Sequence, residues 1–137
     1  MEKPQVLIIE NEKNLSQFEE LLKQAKEKWD IIYVNNPQSA IHILQNMNIS
    51  VVVCGIEVPE LDALAFTNFI ANRFEDIEVI LNGALAESCA ISRQQFVGSR
   101  AFDFIGTPEK VNELPESIEV AIAAQQLRRD TGRFPRF

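Results

Sequence analysis

Five short apolar runs, each followed by a stretch whose apolar residues recur at helical spacing, restrict this chain's fold more than any other feature. The runs are Val6-Leu7-Ile8-Ile9, Asp30-Ile31-Ile32-Tyr33-Val34, Ile49 to Cys54, Ile77 to Leu81 and Ala101 to Ile105. The first shows no polar alternation, as expected of a strand covered on both faces. After the polar turn Glu10 to Asn14, Leu15, Phe18, Leu21, Leu22 and Ala25 predict a helix reaching about Trp29. Asn36-Pro37 supplies a cap and a first-turn proline for a second helix, in which Ala40, Leu44 and Met47 share a face. Asp62 caps a third, with Phe66, Phe69, Ile70 and Phe74 turned inward, and Val111, Leu114, Ile118, Ala121 and Ile122 share one side of the last. Residues 87–97 carry few apolar positions and give the faintest helical signal. Strand and helix thus alternate five times, which predicts an α/β domain with right-handed crossovers, a parallel sheet and helices on both faces. In such sheets the functional crevice lies beyond the C-terminal strand ends, here loops 10–14, 55–62, 82–87 and 106–109.

Composition narrows the classes of function. The 137 residues suffice for one domain with its own core. No window approaches the roughly 18 consecutive apolar residues of a membrane span. The N-terminus runs directly into the first strand with no visible signal peptide, and Cys54 and Cys89 are too few for a disulfide framework. Both point to a reducing cytoplasm. A net charge of −7 opposes nucleic-acid binding, which needs a basic face. Residues 128–137 differ from the rest, with four arginines against one aspartate plus Gly132 and Pro135. They read as a disordered tail or linker after a domain spanning 1–127.

The loop residues carry a resemblance. Val6-Leu-Ile-Ile-Glu10-Asn11-Glu12, Gly55-Ile-Glu-Val-Pro59-Glu-Leu-Asp62, Ile80-Leu-Asn82-Gly83 and Ala101-Phe-Asp-Phe-Ile-Gly-Thr107-Pro108 together resemble the receiver domain of two-component response regulators, the CheY-like family. The resemblance spans roughly residues 5–125. It implies a flavodoxin-like (βα)5 fold, doubly wound, with strand order 2-1-3-4-5, and a role in phosphorelay signal transduction. It also implies an acidic pair after the first strand and a phosphoacceptor aspartate four residues before the loop proline. A hydroxyl after the fourth strand and a lysine before the final proline complete the set. Two carboxylates and the acceptor would hold magnesium, a hard cation seeking oxygen ligands, and the lysine would help neutralise the phosphoryl oxygens.

Carried over position by position, the chain departs from that set almost throughout. Gly55 stands at the acceptor, Glu10 and Asn11 at the acidic pair, Asn82 at the hydroxyl and Thr107 at the lysine; Phe104 falls at the family's conformationally coupled aromatic. The resemblance further implies a cis Thr107–Pro108 bond. Glu10, Glu12 and Glu57 are the carboxylates available to a cation, but solvated loop acids are the simpler reading and no magnesium cofactor is expected.

No enzyme is expected either. The single histidine, His42, lies off the apolar face of its helix, no Ser or Cys has an evident base partner, and CxxC, GxGxxG and P-loop patterns are absent. The reading is a pseudo-receiver acting by protein–protein contact, with residues 87–127 meeting a partner or a second copy. An output domain would follow the tail in a longer protein. Two alternatives stand beside it. One is phosphotransfer displaced to Glu57 or Thr107; the other is a small-ligand sensor, because Gly55 and Thr107 remove bulk and charge from the crevice.

Overall fold

The computed structural model describes residues 3–74, 76–84 and 93–131. Five parallel strands, β1 (Gln5–Ile9), β2 (Asp30–Val34), β3 (Ile49–Gly55), β4 (Glu78–Asn82) and β5 (Asp103–Ile105), form one sheet in the order 2-1-3-4-5. The helices are α1 (Glu12–Leu21), α2 (Pro37–Asn46), α3 (Ala63–Arg73), α4 (Arg93–Val97) and α5 (Leu114–Thr131). The expected doubly wound topology is therefore present. Two-residue periodicity sorts the central strands into two cores. Leu7, Ile9, Val52, Cys54, Val79 and Leu81 pack with Ala40, Leu44, Phe66 and Ile70 of α2 and α3. Val6, Ile8, Val51, Val53 and Ile80 pack with Phe18 of α1 and with Leu114, Ile118 and Ala121 of α5.

The caps form as their chemistry dictates. Asn36 accepts from the Ser39 N–H at 2.8 Å and Asp62 from the Ala65 N–H at 3.1 Å, each satisfying an otherwise orphaned helical donor. His42 is exposed, while Cys54 is wholly buried and its thiol pushed up to about 12 by desolvation. Cys89 and most of the faint helix at 87–97 lie outside the described residues.

Several expectations need correction. The turn after β1 is shorter than predicted, because Asn11 caps α1 and draws Glu12 to Asn14 into the helix. The helical run toward Trp29 breaks into a 3-10 turn at Lys23–Glu27. Met47 ends α2 and is 40% exposed instead of sharing the buried face. β5 begins at Asp103, two residues late, and Asn82 is the last residue of β4 rather than part of the turn after it.

The boundary expected at residue 128 falls inside α5, which continues to Thr131. Arg128 pairs with Glu78 at the start of β4, with side chains 12% and 4% exposed, and Arg129 donates to Asn48 at 2.9 Å. Those contacts give the charged residues a reason to stay helical that no local pattern reveals. Residues 132–137 lie outside the described residues.

All described peptide bonds are trans, Thr107–Pro108 included, against the cis bond expected there. Pro108 opens a 3-10 turn over Pro108–Glu113 with Thr107 at its N-cap. Proline's fixed φ and missing N–H suit that first position without isomerisation.

Candidate functional site

β1, β3 and β4 lie side by side, so Ile9 registers with Cys54, and Gly55 with Asn82. The residue after β1 and the last residues of β3 and β4 therefore meet at one rim, which assembles Glu10, Gly55 and Asn82. Glu10 is 3% exposed. Its carboxyl turns over Gly55, and both oxygens lie 2.7 Å from the point where a Cβ on residue 55 would stand. The room that a glycine was expected to open is filled by this carboxyl.

Three donors hold it there. Oε1 accepts from the Asn11 backbone N–H at 2.9 Å and from Asn14 Nδ2 at 3.4 Å, while Oε2 accepts from Asn82 Nδ2 at 3.1 Å. Burial nevertheless wins, and the Glu10 pKa is raised. Desolvation is the largest cause, the three hydrogen bonds oppose it, and the Glu57 charge adds to it. Asn82 is fixed in turn because its Oδ1 accepts from the Ala84 N–H at 3.3 Å.

Asn11 faces the other way. Its Nδ2 donates to the Glu57 carbonyl at 3.1 Å, and its Oδ1 accepts from the Lys13 N–H at 3.2 Å. A neutral amide thus ties the loop after β1 directly to the loop after β3. Glu12 is exposed on the first turn of α1, and Glu57 is half-buried. Among the described residues, no three His, Cys, Asp or Glu side chains converge as metal ligands do.

Thr107 and Phe104 lie apart from this cluster. Thr107 is exposed, and its hydroxyl holds the Glu109 carboxyl below the ordinary range. Phe104 is half-buried, its ring centroid 5.7 Å from that of Phe96 on α4. With the bond after it trans, Thr107 loses one support for its alignment with the lysine. Lys110, the only lysine beyond Lys28, is exposed on the 3-10 turn.

Asn14 is the member that sequence reading missed. The sequence puts it in a polar turn, yet it is 6% exposed, one helical turn before buried Phe18. Its place four positions before Phe18, on the same helical face, is the available signal.

A family model, response regulator receiver domain, matches residues 6–119. No curated protein matches the chain. Among solved structures, it is similar to the signal receiver domain of an HD domain-containing protein from Pseudomonas fluorescens. The identity is 15%, the match covers 98% of this chain and 96% of that one, and the TM-score is 0.80. The N-terminal signal receiver domain of a two-component system response regulator from Bacteroides fragilis is 22% identical, with 88% and 98% covered and a TM-score of 0.72. Response regulator protein TrrA from Thermotoga maritima, in complex with Mg(2+)-BeF, is 20% identical, with 86% and 98% covered and a TM-score of 0.68.

Proposed function

The chain belongs to the response regulator receiver domain family, and from that premise we propose that it is a pseudo-receiver, signalling by protein contact without accepting phosphate. One observation carries the reading: the Glu10 carboxyl occupies the acceptor's place above Gly55, under three hydrogen bonds. Phosphoryl transfer needs an exposed nucleophilic oxygen with cations around the transferring group. Here the Glu10 carboxyl is buried and its oxygens face amide donors.

The residues present do not make a fit ligand set for magnesium. Magnesium demands oxygen ligands in near-ideal octahedral geometry, whereas the Glu10 oxygens are engaged and both polar atoms of the Asn11 side chain are committed to the backbone. The tie from Asn11 to Glu57 performs, as a neutral hydrogen bond, the joining of two loops that a cation would otherwise perform. An acceptor displaced to Thr107 or Glu57 would meet the same lack of a fit magnesium ligand set.

Contact with a partner, or with a second copy, falls on the described part of the 87–127 region. Val97 on α4 is 71% exposed and Val120 on α5 52% exposed, on the two helices beside the short edge strand β5. Exposed β-branched residues flanking a sheet edge suit a docking face. The domain has no catalytic role of its own in this reading, and any output domain would follow α5.

The deciding experiment is incubation with acetyl phosphate or phosphoramidate plus magnesium, followed by intact mass measurement. No mass gain is expected. A stoichiometric, base-labile gain of one phosphate overturns the proposal, and mapping its site would distinguish displaced phosphotransfer at Glu57 or Thr107.

A further inference from the structure

The opposite end of the sheet holds a cavity of about 330 Å3, between the end of α5, the end of α2 and the starts of β1 and β3. Its wall carries two cations, Lys3 and Arg129, with Gln5, Asn48, Ser50 and Gln125, and no carboxylate. That is a marked local reversal in a chain with 20 acidic residues and a net charge of −7.

The more telling observation is Gln125. It continues the buried stripe of α5 beyond Ile118 and Ile122, where an apolar residue would be expected, and it is 0% exposed. Neither its Nε2 nor its Oε1 has a hydrogen-bond partner among the described residues, and the buried Oε1 of Gln5 is unpartnered likewise. Buried amides are nearly always paired, so such groups call for an explanation beyond the fold. Arg129 lies four residues on, on the same helical face, and is held over the cavity by its bond to Asn48 at 2.9 Å. Lys3 also lines the cavity, and its Nζ donates to the Lys26 carbonyl at 3.2 Å.

We propose that this cavity binds a mononucleotide, its phosphate held by Lys3 and Arg129 and its base edge read by the Gln125 amide, which turns outward on binding from the fully buried position it holds in the free protein. A glutamine amide presents a donor and an acceptor side by side, the pattern that a nucleobase edge complements. The two cations supply the charge for the phosphate, and arginine in particular matches phosphate geometry. The volume lies at the lower end of the roughly 300–1,000 Å3 of small-ligand sites. The site lies at the far end of the domain from Glu10 and Gly55, so it does not rest on the pseudo-receiver reading.

Isothermal titration calorimetry of the full chain with each of the four common nucleoside 5′-monophosphates, their nucleosides and inorganic phosphate tests this. One monophosphate is expected to bind, with its nucleoside and inorganic phosphate each at least about tenfold weaker, as expected when one charged or hydrogen-bonded group is lost. Added salt should weaken it further. Gln125→Met should reduce affinity about tenfold while raising the melting midpoint of the free protein, because it removes an unpaired buried amide. Arg129→Gln should weaken the monophosphate and leave the nucleoside unchanged. Binding of no monophosphate, or binding that survives both substitutions, overturns the proposal. If none binds and Gln125→Met lowers the melting midpoint, the cavity is a hydrated void in which water satisfies the amide. Neither result bears on the phosphate-transfer assay.

Discussion

Glu10 fills the volume that a side chain on Gly55 would need, with both carboxyl oxygens 2.7 Å from the ideal Cβ position. Gly55 ends a regular strand, and no left-handed φ demands glycine there. Space alone excludes a larger residue, and the excluding group cannot swing aside freely because Asn11, Asn14 and Asn82 hold it. The glycine and the glutamate are thus two halves of one arrangement.

Gly55→Ala should therefore destabilise the chain by about 1–3 kcal/mol, the usual cost of overpacking. In a Glu10→Ala background the same substitution should cost under about 0.5 kcal/mol, so the pair shows a coupling above about 0.5 kcal/mol. Urea unfolding of the four proteins in the cycle measures this. Equal costs in the two backgrounds would show that something other than Glu10 excludes the Cβ.

The raised Glu10 pKa sets a pH dependence. The folded chain holds this proton more firmly than the unfolded chain does. The group's contribution to stability is therefore greatest below its ordinary value of 4.5 and declines as pH rises through the elevated folded value, then levels. Glu10→Gln lacks this titration, and other carboxylates cancel when the two proteins are compared. The stability of the native sequence relative to Glu10→Gln should fall from about pH 4.5 upward. A flat or rising difference contradicts the assignment.

Arg128 belongs to the folded domain. Arg128→Ala takes the arginine of a buried ion pair away from Glu78 and should cost about 3–5 kcal/mol, whereas replacing the pair with Arg128→Met and Glu78→Leu should recover most of that. A chain ended at Leu127 should lose a similar amount. Denaturant midpoints of the three variants decide this, and a single substitution costing under about 1 kcal/mol would mean the pair behaves as a surface bridge.

Glu60, in the loop after β3, has a φ of 65°, the left-handed region. A non-glycine residue there carries roughly 1–2 kcal/mol of strain. Glu60→Gly should raise the melting midpoint, and Glu60→Val should lower it. A lower midpoint for the glycine variant would mean that the glutamate side chain contributes more than its backbone costs.

Much of the architecture was readable beforehand because its causes are local or periodic. Asn36 and Asp62 cap helices through donors three residues away, and apolar spacing separates strands from helices without reference to the rest of the chain. The Thr107–Pro108 isomer was inferred from resemblance alone and came out trans, since a proline opening a 3-10 turn needs no cis bond. The extent of α5 was hidden because Arg128 stays helical through Glu78, 50 positions earlier.

Residue identities alone predicted the parallel sheet and its rim, and put Gly55, Asn11, Asn82 and Thr107 at the positions where the resemblance implies phosphoacceptor chemistry. They left the rim looking emptied. Tertiary structure decided that it is full, with Glu10 from β1's end reaching over β3 to an amide from β4, 72 residues away. It also placed the unpaired amide of Gln125 against a basic cavity at the other end. The physical reason is common to both: periodicity fixes which way a side chain points, but only the packing of separate segments fixes which atoms share its volume.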